Sequence, residues 1–237
     1  MHACVMTVKG KMNADVWLSL LDDVIRLDAP PGLGEVLAAR FERYIIADDV
    51  TLEDVTRRTP LFHLVTDEEI SHRDHGGHIE EEQRVTATRF RLEGVDILGQ
   101  PDEWPVLSPA QAESFRIEQG VPVWGRELTD DTIPVEAGLD QDAIDYHKGC
   151  YIGQEVISRI KSVGHVNRNL VRLDGPAGLD LPAGTLLFSG TSEVGRVTSS
   201  AANLDLEKTV ALAYLKRTAL GSPLTRPAGL TIHSLIP

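Results

Sequence analysis

The sequence predicts an α+β fold in two parts: mixed antiparallel sheets and helices over residues 1–162, then a small C-terminal antiparallel β-barrel over 163–237. Three observations predict it. Strand-like runs pair across a tight turn almost at the start, helix-periodic stretches follow two proline-marked boundaries, and the tail breaks into five short β-like runs.

Val16–Leu20 and Val24–Asp28 read as strands joined at Asp22-Asp23. After Pro30-Pro31-Gly32, the apolar residues Leu33, Leu37, Phe41, Tyr44 and Ile45 recur at helical spacing, which predicts an amphipathic helix. Val50–Glu53 alternates again, and Leu61–Val65 has the length of a buried strand. Arg84–Leu92 reads as a strand whose apolar parity shifts midway, as at a bulge or a strand end. Ser108-Pro109-Ala110-Gln111 is a capping box with proline at the first helical position, so a helix runs from there to about Gln119 and stops at Gly120. The five tail runs are Leu170–Leu173, Thr185–Phe188, Val194–Thr198, Val210–Leu215 and Leu230–His233, separated by Gly/Pro clusters.

Composition narrows the function classes. A chain of 237 residues with 42% hydrophobic residues can bury a core, and no apolar run reaches the roughly 20 residues of a membrane helix. The first ten residues do not have the pattern of a secretory leader, and two distant cysteines, Cys4 and Cys150, cannot make a disulfide framework. A cytoplasmic protein is the expectation. A net charge of -13 argues against general nucleic-acid binding, which needs a cationic face.

The most informative stretch is Lys148-Gly149-Cys150-Tyr151-Ile152-Gly153-Gln154-Glu155. Its continuation, Val156–Ile160, reads as a helix, with Gly149 and Gly153 marking a tight entrance. Cys150 therefore sits at or just before a helix N-terminus beside Lys148, where positive potential favours a thiolate. A buried, inert cysteine is the other reading of a lone thiol.

This octapeptide resembles the signature of the YgfZ-type folate-binding proteins, relatives of the glycine-cleavage aminomethyltransferases (GcvT-like), at every fixed position. The resemblance extends through Phe115–Pro122, Gly125–Leu128, Ile133–Leu139, Gly164–Arg168 and Val194–Ser199. It implies an aminomethyltransferase-like folate-binding domain over 1–162 followed by the barrel, with tetrahydrofolate or a derivative as cofactor. It also implies an accessory role in assembly or repair of iron-sulfur enzymes, with those enzymes or cluster-assembly proteins as partners and Cys150 as the functional thiol.

Several residues become candidates on this basis. Glu118 and Glu136 can accept paired hydrogen bonds from a pterin, or be ordinary solvated carboxylates. Lys148, Arg159, Lys161, Arg168 and Arg172 form a basic island able to meet a folate's glutamate tail, or to balance nearby acids. Arg116 and Gln154 lie within the resembling segments, and Tyr151, Trp124 and Phe115 can line a pocket or simply pack a core.

Two departures accompany the resemblance. The family carries a further strand–helix module before the segment resembling Lys9–Asp15, so the first module is expected to be incomplete here. At Ala14-Asp15 the aminomethyltransferases carry paired aspartates and this chain keeps only Asp15, a weak catalytic candidate, since one carboxylate cannot divide acid and base roles. Two further readings stay open: a folate-dependent one-carbon (aminomethyl or methyl) transferase, and an interaction protein with a degraded folate pocket. His72, His75 and His78 flank Gly76-Gly77, which breaks the helix their three-residue spacing would need, so no metal site is expected there.

Overall fold

A computed structural model describes residues 1–65, 84–99, 105–203, 207–225, 227 and 230–235. His72, His75 and His78 lie outside the described residues. The chain divides into two compact units, one comprising Met1 and Val16–Val106, the other His2–Asp15 and Leu107–Pro237.

In the first unit, the later half of β2 (Met12–Leu21) pairs antiparallel with β3 (Val24–Asp28) across a turn in which Asp22 has φ 48°. The hairpin read from sequence is present, and α1 (Gly34–Glu42) follows it with Leu37 buried. A second sheet has the order β4-β6-β5, from β4 (Leu61–Val65), β5 (Arg84–Ala87) and β6 (Gly94–Leu98). One expectation is corrected here: Val50–Glu53 is irregular. Of the two readings of the parity shift after Ala87, the strand end is the one present, at the turn of a β5–β6 hairpin. A turn reverses the chain, so apolar residues on either side of it need not share a period.

The centre of this unit is ionic. Asp96 is buried on the middle strand and accepts from His63 Nδ1 at 2.8 Å and from Arg89 Nε and Nη2 at 2.7 and 2.8 Å, while Arg89 Nη1 reaches Asp28 at 2.6 Å. Burial alone would push the Asp96 carboxyl up, but the hydrogen bonds from His63 and Arg89 outweigh it and hold it below the ordinary value. A depressed folded-state pKa gives stability that is present above the unfolded value of about 3.9 and is lost as pH falls through the folded one. Thermal melts should therefore fall steeply below about pH 4, and Asp96→Asn should lower the melting temperature at pH 7 while flattening that acid limb. An unchanged acid limb in the variant would refute this account of the hub.

In the second unit, β1 (His2–Met6) joins the start of β2, in the sheet order β1-β2-β3. The capping box holds: α2 (Pro109–Glu118) begins at Ser108, whose side chain accepts from Gln111 N, and ends before Gly120 with φ 68°. After a 3₁₀ turn at Pro134–Ala137 comes α3 (Gln154–Val163). The tail strands are β7 (Arg168–Pro176), β8 (Leu186–Ser189), β9 (Ser192–Asn203), β10 (Lys208–Lys216) and β11 (Thr231–Ser234).

All five expected tail runs are strands, and the sheet is antiparallel with the order β11-β7-β10-β9-β8. The ladders among the described residues leave β11 and β8 as edges, so they make an open half-barrel where a closed barrel was expected. Both edge strands are four residues long, and Thr225 caps β8 by donating its N–H to Phe188 O at 2.8 Å. One face of the sheet buries Val171, Leu173, Ala211, Ala213 and Leu215, and the other packs Leu170, Val210 and Leu212 against Ile117 of α2.

Candidate functional site

The motif segment is an irregular lead-in to α3. Gly153 is the N-cap, with φ 88°, and a Cβ there would stand 2.6 Å from Thr7 O and 3.3 Å from Gly10 Cα. Gly10 also has positive φ, and a Cβ on it would meet Val156 Cβ at 2.8 Å. The helix entrance and the Thr7–Gly10 turn thus interlock through two glycines, each needed for its backbone angle and for close approach. Gln154 Oε1 accepts from Tyr151 N at 3.1 Å, which fixes the last turn before the helix. Ile157 is buried beneath, while Arg159 and Lys161 are exposed.

Cys150 is exposed and lies three residues before the N-cap. Lys148 Nζ stands 5.1 Å from the Tyr151 ring centre, and Lys161 Nζ 3.4 Å from that of Tyr146. Burial raises Tyr151, with Asp145 adding to it, and its hydroxyl is buried without a hydrogen-bond partner. Tyr146 is pushed up to about 12 by burial, then by Asp140 and Tyr151. Asp140 is itself raised, chiefly by burial, and its Oδ1 has no partner.

The other cysteine differs. Cys4 packs against the cluster of Met12, Leu128, Ala137 and Leu139, and burial together with the charge of Asp15 pushes its thiol far up. It stays protonated. Asp15 Oδ2 lies 3.8 Å from His2 Nε2, whereas Asp15 Oδ1 and Asn13 Oδ1 are buried acceptors with no hydrogen-bond partner among the described residues. Asn13 and Asp15 are two apart on β2 and so share a face.

The remaining candidates are engaged in ion pairs. Arg116 is buried, donating to Glu113 at 2.6 and 3.0 Å, to Val121 O at 2.6 Å and to Glu127 at 3.2 Å. Glu136 is buried and accepts from Arg168 Nε at 2.9 Å, and the Arg168 guanidinium stands 4.5 Å from the Tyr214 ring centre. Tyr214 donates its hydroxyl to Glu127 O at 3.0 Å, so Arg116 and the Glu136–Arg168 pair are linked through Glu127 and Tyr214, neither of which the sequence singled out. Glu118 accepts from Asn203 at 2.6 Å and faces Lys208 at 3.3 Å, while its carbonyl takes Arg172 Nη1 at 2.7 Å. Of the basic island, Arg168 and Arg172 thus have carboxylate or carbonyl partners, and Lys148 and Lys161 rest on aromatic rings. Arg159 makes no ion pair among the described residues.

Trp124 packs on the Met12–Leu139 cluster, and Phe115 is half-buried on α2. Asn13, Glu127 and Asp140 were missed because nothing in their local sequence distinguishes a buried polar residue from an exposed one.

No protein-family model matches the chain. An aminomethyltransferase of Corynebacterium jeikeium is 34% identical over 112 residues, covering 46% of this chain and 28% of the relative. One from Picosynechococcus is 36% identical over 104 residues, covering 44% and 28%. A protein of Arabidopsis thaliana described as a candidate chloroplastic transferase is 25% identical over 253 residues, covering 94% of this chain and 57% of its own length. The chain thus spans between about a quarter and a little over half of these relatives. Among solved structures, the glycine cleavage system aminomethyltransferase T of Bartonella henselae superposes with a TM-score of 0.71 at 18% identity, covering 98% of this chain and 73% of that one. By sequence about half of the chain is similar to aminomethyltransferases, and its fold is like that of the Bartonella protein.

Proposed function

We propose that this chain binds a tetrahydrofolate derivative and, as a YgfZ-type accessory protein, supports assembly or repair of iron-sulfur enzymes through the Cys150 thiol. The carrying observation is the complete motif octapeptide ending in an interlocked helix entrance, with Cys150 exposed three residues before the N-cap. An exposed thiol can meet a partner protein, whereas Cys4 is half-buried against an apolar cluster and its thiol is pushed far up, which makes it the poorer candidate.

Binding of a pterin has support in the same unit. A reduced pterin presents ring N–H and amino donors, and Asn13 Oδ1, Asp15 Oδ1 and Asp140 Oδ1 are buried acceptors without partners among the described residues. Tyr151 adds a hydroxyl and an aromatic face. Glu118, Glu136, Arg116 and Arg168 act on this reading by shaping the site through their ion pairs, Gln154 by fixing the motif turn, and Arg159 and Lys148 by meeting the anionic tail. The bound folate supplies a one-carbon carrier; the chain's own residues orient it and keep water away.

Aminomethyl transfer is the second reading, favoured by the retained Asp15, which His2 faces at 3.8 Å. Ala14 is fully buried on the opposite side of the strand, so its position supplies no second carboxylate.

Anaerobic calorimetric titration with tetrahydrofolate and 5-formyltetrahydrofolate tests the proposal. Saturable binding is expected, weakened about 10- to 100-fold by Asp15→Ala, since a hydrogen bond to a charged group contributes about 1.5–3 kcal/mol. Cys150→Ala should bind as the parent does yet fail to restore an iron-sulfur enzyme in cells lacking the protein. A folded chain that binds neither folate would remove the folate claim, and restoration by Cys150→Ala would remove the thiol's role. Steady release of ammonia from an aminomethyl donor would favour the transferase.

A further inference from the structure

Within the first unit, one buried cation has no ion pair that explains its burial. Arg26 of β3 stands opposite Ser19 of β2 in the ladder, so both side chains leave the same face of the hairpin. The Arg26 side chain is 14% exposed, and among the described residues its Nε and Nη1 are buried without an acceptor and Ser19 Oγ is buried without a partner. Neither nearby carboxylate meets this need. Asp96 Oδ2 lies 3.8 Å from Arg26 Nη2, outside hydrogen-bond reach, and the Asp96 oxygens are taken by His63 and by the two-point contact of Arg89. Asp28 Oδ2 is taken by Arg89 Nη1.

A fold gains nothing from this arrangement. Burying guanidinium N–H groups without acceptors is costly, and an apolar side chain of similar volume would pack there without that cost. Burial works against the protonated form of Arg26, the charges of Asp96 and Asp28 partly oppose it, and the charge of Arg89 adds to it. The arrangement suits a guest instead. A planar guanidinium held beside a hydroxyl offers converging N–H and O–H donors, the donor set that recognises a carboxylate or phosphate oxygen.

We propose that Arg26 and Ser19 form an oxyanion-binding site in the first unit, taking the carboxylate or phosphate group of a small molecule. Arg26 donates from its unpaired nitrogens and Ser19 from its hydroxyl, while Arg89 occupies Asp96 and Asp28 and so keeps Arg26 from collapsing onto either. The site uses no residue of the folate proposal, so each stands or falls alone.

The test uses the full chain, with melting and calorimetric titration against inorganic phosphate and against glutarate, each compared with chloride at matched ionic strength. A saturable rise in melting temperature with phosphate or glutarate and none with chloride is expected, and the anion that responds identifies the class of guest. Arg26→Met should melt, without anion, at or above the parent temperature and lose the anion response, and Ser19→Ala should bind at least tenfold more weakly. If the parent ignores both anions, or if Arg26→Met melts well below it and still responds to them, the site does not exist.

Discussion

Gly153→Ala is expected to lower stability by about 2–4 kcal/mol and to disorganise the entrance of α3. A left-handed backbone costs a non-glycine residue about 1 kcal/mol or more, and the added methyl would stand 2.6 Å from the Thr7 carbonyl and 3.3 Å from Gly10 Cα. Both obstacles are backbone atoms, which cannot turn aside as a side chain can. Gly149 supplies the control: it lies in the same motif, but a Cβ there meets nothing within 4 Å, so Gly149→Ala should change stability by no more than about 0.5 kcal/mol. Urea denaturation of the two variants decides the matter. Equal midpoints would show that the two glycines do not interlock as described. A Gly153→Ala protein that still folds at low temperature should also expose α3 amides to hydrogen exchange before the tail sheet.

Glu127→Ala is expected to be more damaging still, at about 3–5 kcal/mol, because it breaks a buried pair from one side. Glu127 is 1% exposed, and its carboxylate accepts from Arg116 Nη1 at 3.2 Å, Val123 N at 3.1 Å and Ser199 Oγ at 2.5 Å. These three donors come from α2, the turn after it and β9, so one side chain ties the helix to the tail sheet. Arg116 keeps Glu113 and Val121 O when Glu127 is removed, but Ser199 and Val123 N are left buried without an acceptor. Glu127→Gln keeps an oxygen acceptor at the same place and should cost about 1–2 kcal/mol. Midpoints of chemical denaturation with an unchanged slope would report this order, and a Glu127→Gln loss as large as that of Glu127→Ala would assign the effect to charge rather than to hydrogen bonding.

Some of the fold was open to reading because its causes are local. Ser108, Pro109 and Gln111 mark the start of α2 within four residues, and the hydrogen bonds of the capping box run between those same residues. The five tail strands announce themselves by β-rich runs between glycine and proline clusters, and all five are present. Local signals failed where two structures share one pattern. Val50–Glu53 alternates but pairs with no strand among the described residues, and the change of parity after Ala87 fits a bulge and a strand end alike, of which the hairpin turn decided for the strand end. The strands β1 and β6 were not foreseen, since each holds five residues and draws its place from ladders with partners elsewhere in the chain.

The candidate site divides in the same way. The motif octapeptide and the tight helix entrance are properties of adjacent residues, and the sequence displays them directly. What binds Arg116, Glu118, Glu136 and Arg168 is not. Arg116 and Glu127 are eleven residues apart, Glu136 and Arg168 thirty-two, and Glu118 and Asn203 eighty-five. A carboxylate reads alike in sequence whether water or a guanidinium will satisfy it, because the choice depends on which strands come to lie beside it.

The amino-acid sequence by itself determined the three helices, the cap of α2, the tail strands and the motif octapeptide, all of which follow from backbone propensity and spacing over a few residues. Only the tertiary structure decided that Gly10 and Gly153 meet, that Cys4 is half-buried against an apolar cluster while Cys150 is exposed, and that Arg26 is enclosed without an acceptor among the described residues. Those are consequences of register and burial, which depend on residues far apart along the chain arriving at the same place.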